Sequence, residues 1–214
     1  EAQALIGADV PPAEVCWIHG LASDRALFSC AEEPPVETRT MRPLPASLRE
    51  KLRLACAYLD RERWALPYRA LWRWHRGERS AVMSGDPDGT ALLRRARAVA
   101  RAAHLMKGFI RFRERPLAEG DPRFVASYTP EHDVLAFVAR HFLDRMGHTT
   151  WLISTPSGSV SSNGGQLIWG DSVSIPASGG DANEDLWRRY YRSTFNAERL
   201  NPDLMRAHLP RRHE

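Results

Sequence analysis

The chain has 214 residues, of which 43% are apolar and 26% are charged, and its formal net charge is +4. No apolar run approaches the ~18 residues of a membrane-spanning helix, and no G-x-y repeat of a fibrous protein is present. The charge is neither high nor one-sided enough for a disordered chain. The sequence therefore predicts one α+β domain over residues 1–214, with no membrane as a partner.

Basic residues are concentrated in one part of the sequence. Residues 51–115 contain 16 basic and 6 acidic side chains, a net charge of +10, and the remainder has a net charge of −6. Such a concentration of positive charge is typical of proteins that bind a polyanion. Three interpretations stay open: a nucleic-acid-binding surface, a solvated surface without a partner, and a surface for an acidic protein.

The cysteines point to a reducing setting. Cys16, Cys30 and Cys56 are odd in number and have no CxxC spacing, so they predict neither a disulfide framework nor a metal site. The first residues show no secretory signal. We therefore expect a cytoplasmic protein, in which Cys56 lies on the apolar face of a helix as a small core residue.

The first part of the chain predicts helices. Residues 1–45 are irregular, and residues 46–107 are predicted to be helical and basic. Pro67 is expected in a first turn or at a kink, and Asp86-Pro87 is a strong signal for the start of a third helix, which ends at Gly108. One face of that helix is apolar, and the other carries Arg94, Arg95, Arg97 and Arg101.

The second part predicts a small antiparallel sheet of order β-β-α-β-β over residues 108–170, followed by a loop and helices over residues 171–214. The predicted elements are strands over 109–113 and 123–129, a helix from Pro130 that ends at Gly147, and strands over 150–155 and 166–169. In the first strand, alternation places Arg111 and Arg113 on the exposed face. The Ser- and Gly-rich segments between the last two strands predict a hairpin loop, since the spacing of a phosphate loop is missing.

A cluster of cations surrounds the end of the third helix. His104 and Lys107 are three residues apart and share a helix face. They predict a phosphate-binding cluster, or His104 as a catalytic acid or base; the alternative is a helix C-terminus decorated with cations that suit its dipole. The candidate nucleic-acid-binding residues are Arg94, Arg97, Arg101, His104, Lys107, Arg111 and Arg113.

No motif predicts a metal or a cofactor, because the sequence holds no HExxH, no dinucleotide-binding fingerprint and no GxSxG elbow. Glu131-His132-Asp133 is expected to open the helix of the sheet, where carboxylates suit the helix dipole. Five aromatic residues are either core residues or platforms on which bases stack: Trp151, Trp169, Trp187, Tyr190 and Tyr191. Trp187 and Tyr191 are also candidates for docking a protein partner.

Two stretches of the sequence are distinctive: AHLMKGFIRFRE at 103–114 and EDLWRRYYRSTFNAERL at 184–200, supported by YRALWRW at 68–74, YTPEH at 128–132 and WLISTP at 151–156. In these stretches the chain resembles an uncharacterised bacterial family assigned to DNA metabolism or DNA repair. Members of that family stand beside a radical-SAM protein assigned to DNA repair, or are fused to uracil-DNA-glycosylase-like domains of the UdgX type. The resemblance implies a DNA-repair context and supplies no reaction.

The leading hypothesis is a DNA-repair accessory module that binds nucleic acid through its arginine-rich surface. The second is an enzyme acting on a nucleotide or damaged base, with His104 as acid or base and with Lys107 and Arg111 holding phosphate. The third is a domain that docks the radical-SAM or glycosylase-like partner through Trp187 and Tyr191.

Overall fold

The computed structural model describes residues 2–17, 44–115 and 122–175, and it confirms the α+β class. Within these residues the helices are α1 (Ala2–Gly7), α2 (Ala46–Cys56), α3 (Ala65–His75), α4 (Pro87–Phe109) and α5 (Leu135–Met146). The strands are β1 (Arg113–Glu114), β2 (Phe124–Ser127), β3 (Trp151–Thr155), β4 (Gly158–Ser162) and β5 (Leu167–Gly170). Short 3₁₀ turns occupy Pro12–Glu14 and Arg79–Val82.

Contacts group the chain into two compact units. The first comprises residues 1–104 and 130–134, and the second comprises residues 105–129 and 135–214. Neither unit is a single stretch of sequence, because the short segment 130–134 belongs to the first unit. Helix α4 begins in the first unit, and its last residues, from Leu105, belong to the second.

The first unit is a helical assembly around an apolar core. Its α2 and α3 helices carry apolar residues at spacings of three and four, so each buries one face. The core cluster consists of Leu48, Leu52, Ala55, Ala70, Leu71, Trp74 and Leu92, with Ile6, Leu44 and Val82 packed against it. Pro67 lies in the first turn of α3, as predicted, where its missing N–H costs no hydrogen bond.

The start of α4 is fixed by a side-chain cap. Oδ1 of Asp86 accepts hydrogen bonds from the backbone N–H groups of Asp88 (2.9 Å) and Gly89 (3.4 Å), which confirms the cap expected from the sequence. Gly89 is buried, and a Cβ atom there would lie 2.6 Å from the backbone nitrogen of Met83. Only glycine therefore fits at this turn of the helix.

The second unit contains a five-stranded mixed sheet in the order β1-β2-β3-β4-β5. Strands β2 and β3 are parallel, and the other three neighbouring pairs are antiparallel. Helix α5 connects β2 to β3, which is the kind of connection that a parallel pair needs. It packs against β4 and β5, and its Phe142 ring lies 6.5 Å from that of the fully buried Trp151.

Several predicted boundaries need correction. The sheet is mixed rather than antiparallel, because the strand–helix–strand segment closes a parallel pair. The Ser-rich sequence Gly158–Ser162 is a strand rather than a loop, so two hairpins replace the one expected. The strand predicted over 109–113 is reduced to Arg113–Glu114, since α4 continues to Phe109.

Two further predictions concern the bounds of α5 and the C-terminal helices. Helix α5 begins at Leu135, five residues later than predicted, and it ends before Gly147, whose φ of +58° suits the residue that follows a helix. The helices expected in the C-terminal part, with Trp187, Tyr190 and Tyr191, lie outside the described residues.

Candidate nucleic-acid interface

One face of α4 is exposed and basic. Arg94, Arg97, Arg101 and His104 follow one another at spacings of three, four and three residues, and all four are exposed. At 3.6 residues per turn, they fall within an arc of about 80° around the helix axis. The opposite face carries the buried residues Leu92, Ala96, Val99, Ala102, Ala103 and Met106. The core thus holds the helix in an orientation that leaves the cations in solvent.

The arginines of this face, which we call the arginine stripe (Arg94, Arg97 and Arg101), lack acidic neighbours. After Asp88, helix α4 contains no Asp or Glu, so no i, i+4 ion pair can form within it. Among the residues that the structure describes, none of the three side chains has an ion-pair partner. The stripe is therefore a local excess of positive charge.

Six of the nine other arginines that the structure describes in the first unit have a carboxylate partner: Arg53, Arg63, Arg69, Arg73, Arg76 and Arg95. Arg73 contacts three of them: Glu78 at 2.8 Å, Asp86 at 2.7 Å and Asp88 at 2.8 Å. Arg69 makes a second ion pair with Asp88, at 2.8 Å. Six of the sixteen basic residues over 51–115 are thus paired with carboxylates within the fold, whereas the stripe places three unpaired arginines on one helix face.

These ion pairs shift the titration of the carboxyls. Hydrogen bonds from Arg73 hold the pKa of Asp86 below its ordinary value. Burial alone would raise the pKa of Asp88, but the hydrogen bonds from Arg69 and Arg73 outweigh it and lower that pKa. Both carboxylates are therefore charged at neutral pH and anchor the first turn of α4.

Arg95 differs from its neighbour Arg94 in burial and in hydrogen bonding. Its residue is only 4% exposed, and it lies on the core side of α4 rather than on the solvent side predicted from the sequence. It donates hydrogen bonds to the carbonyl oxygen of Glu62 (2.8 Å) and to Oδ2 of Asp60 (2.7 Å). Its guanidinium carbon lies 5.2 Å from the centre of the Tyr58 ring. Arg95 is thus a structural residue that ties α4 to the segment between α2 and α3.

The segment 131–133, expected to open the helix of the sheet, has a different role. The backbone N–H of Asp133 donates to the carbonyl oxygen of Ala57 (3.0 Å), and Arg63 donates to Oδ2 of Asp133 (2.8 Å). The buried His132 ring lies 4.2 Å from that of Tyr58. These contacts attach residues 131–133 to the segment that follows α2 within the first unit, and sequence patterns do not predict this attachment.

Two groups near these contacts, His132 and Cys56, are engaged in the packing and hydrogen bonding of the first unit. The N–H of Leu59 donates to Nδ1 of His132 (3.4 Å), so that nitrogen is occupied as an acceptor. Burial raises the pKa of the Cys56 thiol to about 11, against the opposing charge of Arg63. Because the thiolate is the reactive form, Cys56 is not a nucleophile at neutral pH. It is a half-buried residue, less buried than the core residue that the sequence predicts.

The second unit presents its own cations. Lys107, Arg111 and Arg113 are all exposed, and within the described ranges none of them has an ion-pair partner. Arg113 lies on β1, which forms an edge of the sheet. Arg123, which directly precedes β2, is instead paired with Glu114, at 3.0 Å. The alternation predicted for residues 109–113 thus gave the right exposure for Arg111 and Arg113 although the strand itself is shorter.

The remaining candidates divide clearly. His104 is exposed and has no hydrogen-bond partner in the part of the chain that the structure describes. No group of three His, Cys, Asp or Glu residues in that part is arranged to hold a metal ion. Trp151 is fully buried and is a core residue, whereas Trp169, on the edge strand β5, is 53% exposed. Trp187 and Tyr191 lie outside the described residues.

The fold and the basic helix face define an α+β domain with an unpaired cationic surface. The chain belongs to DUF4130, a family of domains of unknown function, whose model matches residues 61–214. No curated protein and no solved structure matches the chain. Over the described residues, none of the helices combines the length and the apolar character needed to cross a bilayer.

Proposed function

We propose that this protein binds nucleic acid through the exposed face of α4 and that this binding serves DNA repair. The observation that carries the proposal is the arginine stripe, three exposed arginines on one helix face that have no ion-pair partner among the described residues. The DNA-repair context comes from the resemblance in residues 103–114 and 184–200. The proposed partners are DNA and a radical-SAM repair protein or a fused uracil-DNA-glycosylase-like domain.

The contrast between paired and unpaired arginines supports a polyanionic ligand. Six of the twelve arginines that the structure describes in the first unit have a carboxylate partner, whereas the three arginines of the stripe have none among the described residues. A phosphate backbone supplies the missing negative charge and releases counterions as it binds. Arginine also offers two parallel N–H donors to the oxygens of one phosphate.

In this proposal His104 contributes a phosphate contact rather than catalysis. A general acid or base works best when a second group holds the imidazole in one orientation. Within the described residues His104 has no such partner. Its position at the end of the stripe, three residues after Arg101, instead extends the basic surface along α4 by roughly one turn.

The test compares two double variants that remove the same charge. Arg97→Ala with Arg101→Ala removes two unpaired arginines, and Arg53→Ala with Arg76→Ala removes two arginines that are 55% exposed in surface ion pairs. Affinity for a fluorescent DNA is measured by anisotropy from 50 to 200 mM salt. The slope of log K against log salt is expected to fall by about 2 for the stripe variant and to stay unchanged for the control.

A second comparison addresses the cations of the other unit. Arg111→Ala with Arg113→Ala is expected to weaken binding to all sequences alike and to lower the salt slope by roughly one or two. Wild-type affinity in this variant would remove Arg111 and Arg113 from the interface. Equal losses in the stripe variant and its ion-paired control, or no binding of the wild type at low salt, would overturn the proposed function.

A further inference from the structure

Building on the proposed function, we propose that the ligand of the arginine stripe is duplex DNA in the B form, with α4 seated in its major groove. The guanidinium groups would contact phosphates of the two groove walls. The inference rests on three observations: the shape of the exposed helix face, the types of residue that are missing from this face, and the groove dimensions of the possible nucleic acids.

The exposed face of α4 is narrow. Besides the stripe and His104, its exposed residues before Leu105 and after Gly89 are Thr90 and Ala100, both small. An α-helix with its side chains is about 10–12 Å wide, and the major groove of B-form DNA is about 12 Å wide. A face whose only long side chains are cations fits that groove without an apolar side chain meeting the phosphates.

The length of the basic surface also suits a groove. From Arg94 to His104 the helix rises about 15 Å, and one strand of B-form DNA carries a phosphate about every 3.4 Å along the axis. Arg94 lies about two turns from Arg101, and Arg97 about two turns from His104, a rise of roughly 10 Å, so the two pairs can reach different phosphates. Because the cations spread over an arc of about 80°, they can extend toward both walls.

Single-stranded nucleic acid is a poorer match. Proteins that bind single strands use aromatic side chains as platforms on which bases stack. From Thr90 to His104 the exposed residues of α4 include no Phe, Tyr or Trp. The stripe offers charge without a stacking surface, which suits a ligand whose bases are already stacked in a duplex.

Duplex RNA is excluded by its shape. The major groove of A-form RNA is deep and narrow, so a helix cannot enter it. The exposed face of α4 also lacks the amide and carboxylate side chains that read adenine and cytosine edges. Arginine can read guanine edges, but in this proposal the stripe contacts the phosphates of the groove walls, so we expect binding to depend on duplex form and little on base sequence.

The experiment uses the full chain and three probes of 20 nucleotides or base pairs: duplex DNA, oligo-dT and duplex RNA. Anisotropy at one salt concentration is expected to give at least tenfold tighter binding to duplex DNA than to either alternative. Methyl green, which occupies the major groove, is expected to displace the protein, and netropsin, which occupies the minor groove, is not. Two duplexes of different sequence are expected to bind within threefold of each other.

The outcomes separate this inference from the proposed function. Equal or tighter binding to oligo-dT or RNA, still weakened in the Arg97→Ala/Arg101→Ala variant, would overturn the duplex inference and leave nucleic-acid binding standing. Displacement by netropsin alone would overturn the groove assignment. An absence of binding to all three probes at 50 mM salt would remove the proposed function itself.

Discussion

Adjacent arginines on α4 are expected to affect different properties of the protein. Replacing Arg95 with alanine removes two hydrogen bonds to oxygen atoms of Glu62 and Asp60, one of them to a carboxylate. A hydrogen bond to a charged group contributes about 1.5–3 kcal/mol, and one to a neutral group about 1 kcal/mol. Packing of the guanidinium on Tyr58 is lost as well.

Two features of the site reduce that loss. The Asp60 side chain is 42% exposed, so water hydrates it once Arg95 is gone. The Nε atom of Arg95 is buried without a partner in the described structure, and its removal relieves that cost. We expect a net loss of about 2–3 kcal/mol in the free energy of unfolding, or a fall in Tm of roughly 5–10 °C.

Arg94→Ala is the matched control, because a surface substitution of this kind changes stability by less than about 0.5 kcal/mol. Circular dichroism melts and DNA anisotropy on both variants give the comparison. Arg95→Ala is expected to lower Tm and Arg94→Ala to lower DNA affinity while keeping the wild-type melt. Equal melting temperatures for the two variants would refute the structural role assigned to Arg95.

Three further predictions concern packing and pH. Gly89→Ala is expected to destabilise the protein by about 1–3 kcal/mol, because the new Cβ would collide with the backbone of Met83. Gly108→Ala is the control, because a Cβ at that position meets open space, and it should stabilise the protein by up to about 1 kcal/mol. Urea titrations measure both changes. Burial, and then the charge of a neighbouring arginine, lowers the pKa of His75, so the unfolded state binds more protons and Tm should fall as pH drops below 6.5. This fall in Tm should be smaller in His75→Phe. An identical dependence of Tm on pH in the variant and the wild type would contradict the assignment to His75. Arg73 lowers the pKa of Asp86, so the stabilisation from this ion pair is present above the ordinary carboxyl pKa and is lost as pH falls through the folded pKa. Arg73→Gln should therefore lower Tm at pH 7 and flatten the fall of Tm at acid pH. An unchanged fall of Tm at acid pH would count against the ion pair.

Local signals in the sequence predicted local structure well. The Asp86-Pro87 cap and Gly147 gave one end each of α4 and α5, because these residues act through hydrogen bonds and backbone angles within one turn. The exposure of Arg94, Arg97 and Arg101 follows from helical spacing alone. For Arg95 the prediction is wrong: its charge predicts exposure, whereas its spacing from Leu92 and Val99 fits the buried face on which it lies.

Features that depend on distant partners were missed. The serines of β4 read as a loop, and only pairing on both sides, with β3 and β5, makes that segment a strand with Ser159 and Ser162 buried. The parallel pairing of β2 with β3 depends on where α5 packs. Likewise, which arginines are neutralised depends on contacts such as Arg95 with Asp60, 35 residues apart.

The return of segment 130–134 to the first unit has a consequence for how this domain is inherited and dissected. Asp133 meets Arg63, and His132 meets Tyr58, so the first unit is completed by residues that are encoded after the start of the second. A fragment that ends at residue 104 would therefore lack residues 130–134 and would expose the surface that these residues cover in the first unit. Any contiguous segment that contains the whole first unit also carries residues 105–129 of the second, so neither unit can be exchanged as a contiguous cassette.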